Sequence, residues 1–212
     1  MSGPVVSLLA RAFDPARAVA VPDDATSSRI LDAALAVIAA SGVRHLTMDD
    51  VARRAGVGRM TVYRRFGDRE RLVEALFVRE CRRSLAALDA VAPVDAPVVE
   101  QVAAGFVVAL RIARSHPLLN RLARVEPEAL LSALREDGGA VLAMARAFLA
   151  ARFRASQEAG VLDPARDPDA LAELLVRLML SFVLLEDTVL PLDDDAGARA
   201  VAERLLAPLL VG

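Results

Sequence analysis

The sequence predicts an all-α protein, and three observations carry that prediction. Of 212 residues, 55% are hydrophobic but only 4% aromatic, with no Trp, so the core must be built from Ala, Leu and Val. Small and unbranched apolar side chains suit close-packed helices. Period-two runs of β-branched residues, the mark of a strand, are scarce. Apolar residues recur instead at helical spacing, in segments divided by Gly, Pro and Asp.

Residues 1–25 form an N-terminal extension. Val5, Leu8, Leu9, Ala12 and Phe13 fall at helical spacing before Pro15 and Pro22 interrupt them, so a tail, a docked helix or a reaching arm all remain open. The first firm helix starts near Thr26–Ser28, whose hydroxyls can cap it. Ile30, Ala33, Ala34, Val37 and Ile38 make its buried stripe, and Gly42 sits where a left-handed cap belongs. Thr47 opens the second helix, with Asp50 completing a T-x-x-D cap. Met48, Val51, Ala52 and Ala55 face inward, while Arg53 and Arg54 face out. Gly56 supplies the positive φ of a tight turn. Gly58 caps the third helix, and Val57 and Val62 can staple its start. Val62 and Phe66 anchor that helix, which leaves Arg59, Met60, Thr61, Tyr63 and Arg64 outward. A fourth helix runs from about Asp68 to Ala90, burying Leu72, Ala75, Leu76 and Cys81.

Pro93 and Pro97 mark a linker. Beyond it, helices are expected near 97–115, 117–124, 127–158 (kinked at Gly138-Gly139), 167–190 and 194–208. Asp167-Pro168 is an N-cap followed by Pro at the first helical position. The segment Leu178–Leu185 is apolar on nearly every side, so its helix needs partners all round. It can lie at the centre of one subunit, or divide its faces between its own core and a second copy.

Two short helices about a tight Ala-Gly-Val turn, at 46–72, have the grammar of a helix-turn-helix that presents one helix to the DNA major groove. The charge distribution agrees. The formal net charge is -2, yet Arg outnumber acids between Arg29 and Arg83 and acids outnumber Arg elsewhere. A basic front on an acidic body is expected when one part alone meets phosphates. The stretch Leu46-Thr47, Val51-Ala52, Ala55-Gly56-Val57, Thr61, Val62-Tyr63, Phe66 and Leu72 resembles, without gaps, the DNA-binding signature of the tetracycline-repressor (TetR) family. Gly58 departs from that pattern where Ser is common, and Met60 where a small residue is common. The resemblance is specific over about 26–75. It implies a three-helix DNA-binding domain, here 26–70, joined by a fourth helix to a larger ligand-binding and dimerisation domain, here 71–212. It also implies a homodimer formed through the last two long helices, near 167–190 and 194–208, a palindromic double-stranded DNA operator and a small-molecule effector.

Groove chemistry assigns the residues. Arg59 and Arg64 can each make two parallel bonds to guanine O6 and N7, and Met60 and Thr61 complete the base-reading set. Thr47, Tyr63 and Arg69 are placed for phosphates, which fix register without reading sequence. An effector pocket would be lined by Phe106, Leu110, Met144, Phe148, Leu178 and Phe182, with Arg111, Asn120 or Arg152 as polar handles, although each is also an ordinary core or surface residue for its position.

Little supports catalysis. His45 and His116 lack a metal-ligand neighbour at helical spacing, and Cys81 is alone. No cofactor or metal is expected. The N-terminus lacks a secretory pattern and no apolar run reaches the length of a membrane span, so a cytoplasmic protein is expected, with no membrane partner. The reading that results is a ligand-responsive regulator, a repressor in preference to an activator. Its rivals are a constitutive DNA-binding protein without effector, and a helical carrier or enzyme with an unused helix-turn-helix.

Overall fold

Helix α1 (Ala25–Ser41) begins on a carboxylate. Asp24 accepts from the backbone N–H groups of Thr26 (3.0 Å) and Ser27 (3.1 Å) and from the Ser27 hydroxyl (2.7 Å). The cap expected from the hydroxyls of Thr26–Ser28 is therefore moved upstream, because an acid at a helix N-terminus also meets the positive end of the dipole. Ile30, Leu31, Ala33, Ala34 and Ile38 are buried, whereas Val37 is only half-buried. This is seen in a computed structural model that describes residues 24–117, 119–120, 140–185 and 187–211. The expectations for residues 1–23, for the helix near 117–124 beyond Asn120, and for 127–139 with its Gly138-Gly139 kink lie outside the described residues.

A 3₁₀ turn (Val43–His45) leads to Thr47, whose hydroxyl accepts from the Asp50 N–H at 3.1 Å and donates to the Asp50 carboxylate at 2.6 Å. Helix α2 (Met48–Ala55) follows, as its T-x-x-D cap predicts. It ends on Gly56 at φ 64°, ψ 37°. The Gly56 N–H reaches the Arg53 carbonyl (3.3 Å) and the Val57 N–H reaches Ala52 (3.0 Å), the paired bonds of a Schellman turn. Helix α3 (Arg59–Phe66) starts on Gly58 and buries Val62 and Phe66. Helix α4 spans Arg69–Asp89.

These elements share one core. Ile30, Leu31, Ile38, Val51, Val62, Leu72, Val73 and Leu76 are completely buried in it, with Val57 and Tyr63 packed on its margin. Contacts divide the chain into two units, Met1–Arg83 with His116–Val141 and Ser84–Ser115 with Leu142–Gly212. The first reaches Arg83 because α4 buries Leu72, Val73, Ala75, Leu76, Phe77 and Val78 in that core.

The second unit contains α5 (Val98–Ser115), most of α6 (Ala140–Glu158), α7 (Pro168–Leu184) and α8 (Asp195–Val201). A π-type turn (Ala202–Leu206) continues α8 towards the short helix Pro208–Val211. Phe106, Leu110, Ala150, Phe153, Leu162, Ala172, Val201, Leu206 and Leu210 form its core. Asp167 caps α7 as expected, accepting from Asp169 N–H at 2.9 Å and Ala170 N–H at 3.3 Å. Helix α7 stops at Leu184, short of the expected 190. The Thr188 hydroxyl instead accepts from the Leu190 N–H (3.1 Å), and Leu190 precedes Pro191, a position unfavourable to helix.

All described secondary structure is helical, and no described helix is long and apolar enough to cross a membrane. Gly197 in α8 passes so close to Pro191 that an added Cβ would lie 2.0 Å from the Pro191 carbonyl oxygen. Gly197→Ala should therefore destabilise the protein by about 1–3 kcal/mol or more through backbone displacement, read as a fall in the denaturation midpoint. An unchanged midpoint would rule out this close approach.

Candidate nucleic-acid interface

The second and third helices set the interface. Val62 and Phe66, one turn apart, fix α3 on the core, so the opposite side of α3 carries Arg59, Met60 and Arg64 into solvent. Met60 is 75% exposed. This apolar side chain thus stands in solvent between two exposed Arg on the outer side of α3. Thr61 and Tyr63 are half-buried, and Tyr63 packs against the core edge.

The structure divides six of the seven arginines between Arg53 and Arg71 by environment. Arg59 reaches back across the turn to Asp49 (3.1 Å), donates to the Tyr63 hydroxyl (3.3 Å) and lies over the Tyr63 ring at 5.3 Å. The Tyr63 hydroxyl, then the Asp49 charge, hold the Arg59 guanidinium above its ordinary pKa. Arg64 is exposed. Arg65 turns inward, where it bonds Asp24 and the Ser27 hydroxyl (2.8 Å), so it ties α3 to the start of α1. The Ser27 hydroxyl and N–H, together with Arg65, hold the Asp24 carboxyl below its ordinary range. Arg69 donates to the Leu46 carbonyl (2.9 Å) and to the Val43 carbonyl. Its guanidinium closes the turn before α2, which supports a positioning role for a residue assigned from sequence to phosphate. Arg53 pairs with Asp50 and Arg71 with Asp68, both at the surface.

The Thr47 hydroxyl is likewise engaged with Asp50. Of the seven residues assigned to DNA, Arg59, Met60, Thr61, Tyr63 and Arg64 are gathered on α3, while Thr47 and Arg69 hold the ends of neighbouring elements. The sequence reading missed Asp49 and left Arg65 undirected. Asp49 and Arg59 are ten residues apart across a turn, a separation no helical periodicity relates.

The second unit brings only part of the expected pocket together. Phe106 and Phe182 meet edge to face, with ring centroids 5.7 Å apart and planes at 77°. Leu178 packs on the same core; Met144 and Phe148 are half-buried. Leu110 and Arg111 line a cleft of about 230 Å³ with Val107, Arg114, Ser115, Ala198 and Asp193, Asp194 and Asp195. Arg111 itself pairs with Asp195 at the exposed rim. Arg152 is nearly buried and bonds the Asp89 carboxylate (3.0 Å) and the carbonyls of Asp89 and Ala92. It is thus engaged at the end of α4. Asn120 belongs to the first unit, the other eight residues to the second. Burial pushes the Cys81 thiol up to about 11, which keeps it protonated and unreactive at neutral pH.

A recognition helix held by two buried anchors behind a Schellman turn, on a basic face, defines a helix-turn-helix DNA-binding protein. Comparison with known proteins gives the family. Residues 30–76 match the family "Bacterial regulatory proteins, tetR family", and residues 98–208 match "Bacterial Tetracyclin repressor, C-terminal domain". The chain belongs to the tetR family of bacterial transcriptional regulators, whose members bind operator DNA, dimerise and respond to small molecules. The HTH-type transcriptional regulator AlkX of Mycobacterium tuberculosis is 29% identical over 183 residues, 84% of this chain and 82% of that protein. The regulator SrpR of Pseudomonas putida is 43% identical over 61 residues, 29% of either chain. Among solved structures, a TetR-family regulator from Vibrio parahaemolyticus superposes with a TM-score of 0.57 at 25% identity, covering 88% of this chain and 99% of that one. Salmonella enterica GusR does so with a TM-score of 0.61 at 21% identity, covering 87% and 95%.

Gly58 starts α3 without a side-chain cap, at φ -68° and ψ 143°, and an added Cβ would meet only the Thr61 hydroxyl at 3.9 Å. Gly58→Ser should fit and raise stability by a few tenths of a kcal/mol. Urea unfolding checks this, and a lower midpoint would count against the cap geometry.

Proposed function

We propose that the chain is a cytoplasmic, ligand-responsive repressor that binds a palindromic operator as a homodimer. The observation that carries this reading is the outward set of Arg59, Met60 and Arg64, with half-buried Thr61 beside them, on a helix whose other side is fixed by Val62 and Phe66. Each subunit lays α3 in the major groove of a half-site, and the half-sites lie about one helical turn, roughly 34–36 Å, apart. Arg59 and Arg64 read guanine, Met60 and Thr61 contact neighbouring base edges, and Tyr63 donates its O–H to a phosphate. Thr47 and Arg69 act at the same face, Thr47 through the α2 cap and Arg69 through the turn it closes.

The DNA-binding part is taken as 26–70, and the effector and dimer part as 71–212. Support for a dimer through α7 and the C-terminal helices comes from exposure. Leu174, Leu185, Val189, Leu205 and Leu209 are large apolar residues left in solvent by a single chain, and they belong to α7 and the segments after it, which a second copy would cover. The effector site is proposed on Phe106, Leu110, Met144, Phe148, Leu178 and Phe182, which makes its ligand largely apolar, with Arg111 at the rim. A ligand there would act through α4. A coupling of about 1–3 kcal/mol changes operator affinity about 5- to 150-fold.

Selection of bound duplexes from a random library tests the regulator reading. The protein should enrich a two-fold symmetric sequence, and enrichment of none would sink the proposal. Arg64→Ala should cost about 1–3 kcal/mol at one base position per half-site and relax preference there; equal loss on selected and scrambled DNA would show Arg64 to be a phosphate contact. Leu205 is 52% exposed, so Leu205→Glu should leave the fold intact and shift sedimentation from dimer towards monomer. A dimer of unchanged strength would place the interface elsewhere.

A further inference from the structure

The DNA-facing surface contains one acid that the reading above does not use. Asp49 lies in the first turn of α2, and its carboxylate takes the Arg59 Nη1 at 3.1 Å. Arg59 is the first residue of α3. Its Nη2 donates to the Tyr63 hydroxyl at 3.3 Å, and the guanidinium lies over the Tyr63 ring. Both charged partners are more than half exposed, so the pair contributes little to stability. Its position nonetheless puts a carboxylate against the groove that a polyanion must enter.

We propose that Asp49 is a specificity-determining positioning residue, which holds Arg59 aimed at base edges and withholds it from phosphates. This rests on the proposal that α3 reads DNA. Two consequences of the geometry support it. First, each terminal nitrogen of a guanidinium carries a second N–H. By donor count Arg59 keeps N–H groups for guanine O6 and N7 while it holds Asp49 and Tyr63. Second, the Asp49–Arg59 pair is neutral. Arg59 adds nothing to the release of counterions while paired, and swinging it to a phosphate would leave the Asp49 carboxylate unpaired within a Debye length, about 8 Å, of the DNA charges. A neutral guanine edge tolerates the adjacent Asp49 carboxylate, whereas a phosphate is repelled by it. An arginine without such an acid at its side would take either.

The test uses the full-length chain, the duplex it selects from a random library, and a scrambled duplex of equal length. Affinities are measured between 50 and about 200 mM salt for wild type, Asp49→Asn, Arg59→Ala and the double variant, with circular dichroism to confirm folding. Asp49→Asn should raise affinity for scrambled DNA several-fold and for the selected duplex far less. It should steepen the slope of log K against log salt by about 0.9, the value of one added phosphate contact. Repeated selection with Asp49→Asn should lose preference at the same base that Arg59→Ala loses. In the Arg59→Ala background, Asp49→Asn should change neither slope nor preference.

Equal gains on both duplexes, or the same gain with and without Arg59, would mean that the acid merely repels DNA, and the proposal fails. Unchanged affinities and preference also overturn it. A base preference that depends on Asp49 but persists without Arg59 would show Asp49 reading that base itself, which overturns it too. If wild type selects no sequence, the regulator reading fails and takes this proposal with it; a selective wild type with an indifferent Asp49→Asn sinks this proposal alone.

Discussion

The left-handed residue at Gly56 is the constraint on which the DNA face depends. Gly56 at φ 64° lets the chain reverse within the Schellman turn, with its N–H and that of Val57 closing the end of α2. A residue with a Cβ would resist this conformation whatever the space around it. Only after that reversal does Val62 arrive fully buried against the core shared with Val51 and Ile38. With Val62 and Phe66 committed inward, the 3.6-residue period of α3 leaves Met60 and Arg64 outward. The chemistry of the groove face is thus decided by packing behind it.

Arginine shows how far environment decides role. Among the seven arginines from Arg53 to Arg71, the structure sends Arg65 to Asp24 and Ser27, and Arg69 to the carbonyls of Leu46 and Val43. Arg59 is held between Asp49 and Tyr63, and Arg64 remains in solvent. The two that turn inward connect separate elements. Arg65 joins α3 to α1, and Arg69 joins α4 to the turn before α2. Each thus ties together elements of the helix-turn-helix, so a binding defect on its loss alone does not make an arginine a contact.

Local signals were legible in the sequence, and long-range ones were not. The Thr47 and Asp167 caps, the Gly56 turn, the Gly58 start and the buried pair Val62 and Phe66 each follow from chemistry within about four residues. Asp24 was missed as the cap of α1 because three hydroxyl-bearing residues follow it, and Ser27 turned out to donate to that carboxylate. Arg152, expected as a polar handle for an effector, is instead a structural tie. Its partners, Asp89 and the Ala92 carbonyl, are about 60 positions away, beyond any periodic pattern. Taking Pro191 as the stop puts the end of α7 at 190, whereas the helix ends at Leu184, before Asp187 and the Thr188 hydroxyl that caps the Leu190 N–H.

Helix α4 begins in the first unit and ends in the second, and its polar contacts fix it within each. In the first unit, Arg69 holds Leu46 and Val43, Arg79 donates to the Ser28 carbonyl at 3.2 Å and pairs with Asp32 at 2.7 Å, and Glu80 meets His116 at 3.1 Å. Burial alone would raise the Glu80 carboxyl. The His116 hydrogen bond and the Arg79 and Arg83 charges outweigh it and hold the group below its ordinary range. Glu80 therefore remains ionised at neutral pH, and breaking one partner of such a buried set is costly. At the other end of α4, Arg152 holds Asp89 in the second unit. Within the first unit α4 is therefore fixed to α1 and to the turn before α2, and the core that buries its Leu72 and Leu76 also buries Val62 of α3, so these helices pack as one body.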